Sequence, residues 1–558
     1  MPISSAWNAY IFREGKTTVS GPALVADLAK GVRAFPHLAH SARRTTLIDL
    51  LLRAGELECT LHDSESAQAA IAEGVTDQLA ESLVRGTPVS TDNLFVRVRD
   101  IEAPARVPVA ITEGFAYYSL HPFDYVDLVR RAASAYRRAA IVGIRSIGTT
   151  LGSIVQAALR AQGAIAERIT VRPIGHPYNR RTTFSSHQQR WITSLIAEHA
   201  DFFIVDEGPG MSGSSFLSVG DALLSAGVPR SQITFLCSRQ PDPASLTAAN
   251  AAQRWPAFRA YYTEPTRHLP LQAKQYIAGG IWRARAFPSE DEWPSSWLQM
   301  ERLKFLSEDC SRLYRFEGFG RFGAEVHQRA LTIAEAGFGP TPEPREEGFG
   351  VYPVLNGRYL SSADASPATL MRIAEYCAFR ACALASDTDQ TPDLEVMLRF
   401  NTSEEFGVDL PAGLSHLEIE KPVIADGRML PHKWINHDGK LLKLDAATHG
   451  DDHFFPGPTD IAWDLAGTIV EWDLNTDAAN FLIDTYRQFS GDDLGKRLPA
   501  YLLAYGVFRT AYCKMAAAAS SGTPEHERLL RDYHRYRRQT QARLGCTPTG
   551  HADQQAAA

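Results

Sequence analysis

The sequence predicts an α/β protein: a doubly wound, mostly parallel sheet followed by an α+β half. Three observations point there. From Val107 onward, short apolar runs alternate with helical patterns, as in parallel strands joined by crossover helices. Beyond residues 282–297, a stretch rich in Pro, Ser, Trp and charge, the pattern changes to strands and a hairpin and then becomes strongly helical. The chain has 558 residues, too many for one ordinary core, so two to four domains are expected.

The boundaries read as an N-terminal extension or hood over 1–105, a sheet domain over 106–285, a linker over 286–300, a second domain over 301–545 and a tail over 546–558. In the extension, Leu24, Leu28, Val32 and Phe35 lie near one helical stripe, and Leu47 to Leu52 form an apolar helix face. Residues 67–84 also read as helix. No chemistry is apparent in these segments. In the sheet domain, Val107 to Ile111 reads as extended and residues 123–136 as helix. Residues 139–144 form a buried strand, and a helix runs through Leu151, Ile154, Val155, Ala158 and Leu159. A strand is expected to start at Ile169, a helix over 191–199, and strands over 202–205 and 231–237. Polar loops follow three of these strands, at the carboxyl ends where open α/β sheets bind ligands.

Composition narrows the function classes. The net charge of −7 is mild for this length and argues against a nucleic-acid or lipid surface. Seven scattered cysteines without a C-x-x-C pair predict reduced thiols in a cytoplasmic protein and no structural zinc site. No signal peptide is read at the N-terminus, and no apolar run is long enough to span a bilayer. Nothing in the sequence sets the oligomeric state.

The stretch that organises the sheet domain is Phe202-Phe203-Ile204-Val205-Asp206-Glu207, followed by Gly208, Pro209, Gly210, Met211, Ser212, Gly213, Ser214 and Ser215. An apolar strand runs into two carboxylates, a loop of small residues and then a helix. Backbone N–H groups of such a loop cradle a phosphate, and adjacent carboxylates suit a diol or Mg²⁺. No Lys follows the glycine, so this is not a Walker loop.

The stretch resembles the 5-phosphoribosyl 1-pyrophosphate (PRPP) motif of type I phosphoribosyltransferases. The resemblance implies that Asp206 and Glu207 contact the ribose hydroxyls and Mg²⁺, and that Gly210, Met211, Ser212, Gly213, Ser214 and Ser215 hold the 5-phosphate. It also implies a pyrophosphate loop at Arg145, Ser146, Ile147 and Gly148. Arg172, Arg180 and Arg181 lie between the two loops in a Pro/Gly-rich segment, where guanidinium groups can bind phosphate bidentately. Tyr117 and Tyr118 stand in an aromatic loop that stacks on a base or belongs to the core. The chemistry implied is displacement at the ribose anomeric carbon, with PRPP and a base or nucleoside as substrates.

In the second half, residues 311–321 read as a strand with a Gly-containing turn, residues 323–336 as a helix, and residues 349–360 as a hairpin turning at Asn356-Gly357. Later come residues 426–434, a strand ending at Asp445, the cluster His449, Asp451, Asp452 and His453, and Asp464-Leu465-Ala466. This order resembles the aminoglycoside phosphotransferase and choline kinase branch of the protein-kinase-like fold. The resemblance implies an Arg315–Glu325 pair across nucleotide phosphates, Asp445 on the metal and Asp464 in a structural role, with Mg²⁺ and ATP as cofactors. Asp426 is the nearest candidate for the base that aligns an acceptor hydroxyl. Two departures stand out: Arg315 replaces the usual Lys, and the His-x-Asp catalytic loop with its Asn is not intact. The cluster after Asp445 reads as a divalent-metal site or as a polar loop before a helix.

Together these features predict a bifunctional enzyme, with PRPP-dependent phosphoribosyl transfer or its reverse in the first half and ATP-dependent phosphorylation in the second. Two alternatives remain open. The second half is a binding module beside one active domain, or the protein senses PRPP or a nucleotide without catalysis.

Overall fold

A computed structural model describes residues 16–132, 137–264, 268–386, 391–410, 414, 416–449, 455 and 457–545. Asp451, Asp452 and His453 and the tail over 546–558 lie outside them. The chain divides into two compact units. The parallel-sheet unit holds Gly15–Pro270 with Gly318–Ala324, and the C-terminal unit holds Leu271–Glu317 and the chain from Glu325 onward.

The parallel-sheet unit opens with β1 (Lys16–Val19), α1 (Gly21–Ala34), α2 (His40–Asp63), α3 (Ala69–Arg85), α4 (Thr91–Arg99) and β2 (Val107–Ala110), which pairs antiparallel with β1. After α5 (Glu113–Ala116) and α6 (Pro122–Ala132), strand and helix alternate: β3 (Arg138–Ile144), α7 (Ile147–Ala161), β4 (Ile165–Val171), α8 (Ser186–Ala197), β5 (Asp201–Val205), α9 (Ser214–Ser225), β6 (Ile233–Cys237), α10 (Ala251–Arg254) and β7 (Arg259–Tyr262). The five strands are parallel throughout, in the order β4-β3-β5-β6-β7. The expected parallel sheet is therefore present. One strand is longer than expected: Ile169 lies near the end of β4, whose early residues alternate in burial and so lack a continuous apolar run.

Burial explains the strands. Phe202, Phe203, Ile204 and Val205 are at most 1 % exposed, and each such side chain contributes about 1.5–3 kcal/mol on leaving water. On one side of the sheet, Ile192 and Leu195 of α8 share a core with Phe216 and Leu223 of α9, Phe235 and Trp255. Helix α7 packs instead against α2, α3 and α6. It is buried from Ile147 to Leu159, as expected of a helix that is apolar nearly all round. Helices α2 and α3 are thus one outer wall of this unit. A capping box of Ser185 and Gln188 starts α8.

The C-terminal unit has a five-stranded sheet in the order β11-β12-β10-β9-β8, with every neighbouring pair antiparallel. Its strands are β8 (Gln275–Tyr276), β9 (Lys304–Leu306), β10 (Arg312–Phe316), β11 (Glu343–Glu346) and β12 (Phe349–Pro353), and the helix Gly320–Glu335 follows β10. The hairpin expected over 349–360 is not formed. Residues Arg358–Tyr359 (β13) leave this sheet and pair with β15 (Trp434–His437), while β14 (Pro422–Val423) pairs elsewhere. A Cβ at Gly357 would lie 2.3 Å from the Asn436 carbonyl, so the Asn356-Gly357 turn serves a close approach to β15. The strand β16 (Lys440–Lys443) extends the small sheet. The remainder is mostly helical and packs around Trp434, Trp463, Tyr486 and Tyr505. The stretch over 282–297 is anchored within this unit: Arg283 Nη2 pairs with Glu525 at 2.9 Å, and Ser295 donates to Asp532 at 2.5 Å. Among the described residues, no helix is long and apolar enough to cross a membrane.

Candidate functional site

In the parallel-sheet unit the strand order reverses between β3 and β5, because the crossover from β3 leads to β4 on one side while β6 and β7 extend the other. Such a switch point opens a crevice at the carboxyl ends of the two strands. The loops leaving them carry Arg145–Gly148 and Asp206–Ser215. They meet closely: a Cβ on Gly148 would lie 2.5 Å from the Val205 carbonyl, and one on Gly143 would lie 2.3 Å from the Gly148 carbonyl. Ser146 is held at φ 122°, where an L-residue is strained by about 1–3 kcal/mol. Neither following helix is capped by a side chain, since Ser146 makes no cap bond before α7 and Gly213 has none to offer before α9. In the first turns, Ser214 N donates to Ser212 Oγ at 3.2 Å and Thr149 N to the Ser146 carbonyl at 3.3 Å, while the other first-turn N–H groups have no acceptor within their own helix.

Asp206 and Glu207 sit partly buried at the crevice floor. Glu207 Oε2 accepts from Gly114 N at 2.8 Å, and Asp206 Oδ1 accepts from Glu207 N at 2.9 Å. Tyr125 donates its hydroxyl to the Asp206 carbonyl and fixes the strand end from below. Burial pushes the Asp206 carboxyl up to about 7, with the Glu113 charge adding to it. Burial, Glu113 and Asp206 push Glu207 up to about 8. The charges of Glu113, Asp206 and Glu207 act on one another, although among the described residues the three form no compact cluster of metal-ligating groups.

The phosphate-loop side chains are drawn together. Ser212 and Ser214 both donate to the Pro177 carbonyl, at 2.9 and 2.5 Å, so the segment between β4 and α8 lies over them. Gly210 and Met211 are exposed, Gly213 is buried against Trp255, Ser214 opens α9 and Ser215 follows it in the first turn. Arg180 and Arg181 line a groove of about 780 Å³ with Ser214 and Ser218.

Arg145 and Arg172 converge, but on a carboxylate. Asp63, the last residue of α2, accepts from Arg145 Nη1 at 3.0 Å and from Arg172 Nε at 3.2 Å, and also from Arg172 Nη2. Arg172 Nη1 donates to the Arg145 carbonyl at 2.7 Å. Burial pushes the Asp63 carboxyl up, but the two guanidinium groups outweigh it and hold it below the usual range. The wall helix therefore supplies an anion to the expected pyrophosphate arginines. Sequence reading assigned no chemistry to α2, and an isolated helix-end Asp offers no local signal. Tyr117 is buried, which places it in the core rather than at a base; Tyr118, at 6.2 Å in an edge-on arrangement, is partly exposed.

The C-terminal unit holds a cleft of about 380 Å³. Its polar end is a cluster around Asp445: Arg315 Nη1 donates to Oδ1 at 2.5 Å and Lys433 Nζ to Oδ2 at 2.6 Å. Arg315 also donates to Thr448, and His449 Nε2 lies 3.9 Å from Asp445. The Lys304 and Lys433 ammonium groups lie over one Trp282 ring, at 5.6 and 5.4 Å. Burial lowers Lys433 to about 8, with Asp445 opposing the shift and Lys304 and Arg315 adding to it. Burial pushes Asp445 up, but Arg315 and Lys433 dominate and hold it well below the carboxylate range. Glu325 stands exposed on its helix, whereas Arg315 is buried. Lys433 was not among the residues singled out from sequence, because it sits two residues past Pro431 with no motif around it.

Asp426 does not face the cleft as a base would. It is fully buried; Tyr376 donates to Oδ2 at 2.6 Å and Lys443 Nζ to Oδ1 at 3.0 Å. Asp464 accepts from Asp426 N and Gly427 N at 2.8 and 2.9 Å, which is the structural role expected of it. Nor does Asp445 suit a divalent cation. Both its oxygens already meet cationic side chains, and among the described residues it belongs to no cluster of three metal-ligating groups.

No family model matches the chain, and no curated protein does. Among solved structures it is similar to a choline/ethanolamine kinase family protein of Mesorhizobium loti, at 16 % identity over 47 % of this chain and 96 % of that one, TM-score 0.32. It is similar to a choline kinase of Streptococcus pneumoniae, at 12 % identity over 43 % and 89 %, TM-score 0.30. A macrolide 2′-phosphotransferase of Brachybacterium faecium matches at 12 % identity over 42 % and 88 %, TM-score 0.29. Scores this low do not define the fold of this chain.

Proposed function

We propose that the chain is a transferase of phosphorylated compounds with two sites: a ribosyl-phosphate site in the parallel-sheet unit, and a nucleotide cleft of phosphotransferase type in the C-terminal unit. One observation carries the first assignment. Two carboxylates with raised affinity for protons face a Gly-lined loop at the reversal point of a parallel sheet. PRPP carries the groups that complement this arrangement: a diol, a 5-phosphate and a pyrophosphate.

On this reading Asp206 and Glu207 accept hydrogen bonds from the ribose hydroxyls and orient its anomeric carbon. Backbone N–H groups at the start of α9 receive the 5-phosphate, and those of Ile147 and Gly148 receive the pyrophosphate. Mg²⁺, when bound, neutralises charge on the leaving group. Arg145 and Arg172 add to that neutralisation once pyrophosphate replaces Asp63 between them. Displacement at carbon then needs positioning and exclusion of water more than covalent help. The test is pyrophosphate release from PRPP with a panel of bases, and its loss in Asp206→Asn/Glu207→Gln. Binding of PRPP without turnover would instead favour a sensor.

A second reading concerns the cleft, and the cationic end formed by Arg315, Lys304 and Lys433 supports it. Apolar walls from Ile277, Leu306 and Leu313 suit a base, and the cations suit phosphates. ATP consumption with a small alcohol as acceptor, lost in Arg315→Ala, is the expected result. Consumption unchanged in that variant would reject the assignment.

A further inference from the structure

The charges at the polar end of the C-terminal cleft do not match a metal-dependent phosphate site. A divalent cation on a kinase-type carboxylate bridges protein oxygen to phosphate oxygen. Here both Asp445 oxygens are engaged by fixed cations, Arg315 on one and Lys433 on the other. Each cation is held in place. Arg315 is buried and bonds Thr448, and Lys433 lies against Trp282 beside Lys304. Lys304 is itself paired with Glu301 at 2.5 Å. Asp445, Glu301 and the buried Glu317, which acts on Arg315, thus stand against four cations at the cleft, Arg315, Lys304, Lys433 and Arg285.

The surplus positive charge lies where the cleft is most polar, and Ile277, Leu306, Leu313 and Tyr359 are among the apolar and aromatic groups that line the rest of the space. A divalent ion added to Asp445 would face two positive side chains within contact distance of its ligand. A phosphate added there would be neutralised by them. Resting on the nucleotide reading of this cleft, we propose that the cleft binds a nucleoside di- or triphosphate without a divalent cation, the Lys433 ammonium with the Arg315 guanidinium standing in the cation's place between Asp445 and the phosphates. The shared ligand chemistry is a polyphosphate ester with an apolar base. No bond is made or broken in this step.

The experiment is calorimetric titration of the full chain with ATP, once in EDTA and once in excess Mg²⁺, for the wild type and for Lys433→Gln. The expected result is a dissociation constant in EDTA within about threefold of that in Mg²⁺. Lys433→Gln should weaken binding in EDTA by about tenfold or more, the loss of one charge-assisted hydrogen bond. Wild-type binding that weakens by about a hundredfold or more in EDTA overturns the proposal and leaves the nucleotide reading standing. Absence of ATP binding under both conditions removes the nucleotide reading, and the proposal with it. The comparison within the wild type stands even if Lys433→Gln does not fold. If that variant folds and binds as the wild type does in EDTA, the assignment to Lys433 is overturned.

Discussion

Asp63 decides how the two arginines of the crevice are used. It gives both guanidinium groups a carboxylate in place of an external anion, and an incoming pyrophosphate has to replace it. Asp63→Asn keeps the shape and removes the charge. Titration with inorganic pyrophosphate should show binding tightened by about threefold to tenfold, the scale of one or two partly exposed ion pairs. Unchanged affinity would mean that Arg145 and Arg172 do not receive the anion. Asp426 is the opposite case, a charge whose work is structural. Asp426→Ala leaves Lys443 buried without this carboxylate and should cost about 3–5 kcal/mol, read as a lower unfolding transition. A loss of activity at unaltered stability would restore it as a catalytic base.

The carboxylates of the crevice also set a pH dependence. Asp206 titrates at about 7 and Glu207 at about 8, against reference values of 3.8 and 4.5. The folded state therefore holds more protons than the unfolded state between those limits. Stability contributed by the pair falls as pH rises from about 4 to about 8 and is flat beyond. A cation must displace these protons. Stabilisation by Mg²⁺ should thus grow from about pH 5.5, below both folded-state values, to about pH 8.5, above both. Scanning calorimetry at the two values checks this, and Asp206→Asn/Glu207→Gln should abolish the difference.

At the scale of elements, the crevice depends on how closely α7 approaches the end of β5. A Cβ at Gly148 meets the Val205 carbonyl at 2.5 Å, where neither helix nor strand can yield cheaply. Gly148→Ala should cost about 1–3 kcal/mol and weaken PRPP binding. One turn on, a Cβ at Gly152 meets its neighbours at 3.7 Å, so Gly152→Ala should be neutral or stabilising by up to about 1 kcal/mol. Equal effects in the two variants, measured by urea unfolding, would show that the approach is not what matters.

This level also separates what sequence reveals from what it hides. The run from Phe202 to Val205 and the small residues after Glu207 are local signals, so β5 and its loop were legible. The pairing of α2 with the crevice was not, because Asp63 and Arg172 are far apart in sequence and neither sits in a pattern. Asn356-Gly357 was legible as a turn, but its partner strand was not: β13 pairs with a strand more than seventy residues onward. Asp426, read from sequence as a candidate base, lies on a loop after β14. Its burial depends on Tyr376 and Lys443, contributed by other elements.

For the whole molecule, the proposed reading gives the two units two kinds of phosphate site. One gathers carboxylates and suits a cation with its ligand. The other gathers cations and suits the anion directly. Binding of PRPP in the carboxylate crevice is read from thermal unfolding of the intact chain with Mg²⁺-PRPP. At about 100 times the dissociation constant, ligand should add roughly 2.7 kcal/mol to the unit that binds it. The account predicts a raised transition in the wild type that Asp206→Asn/Glu207→Gln loses while remaining folded. An equal shift in both proteins, or none in either, would contradict it.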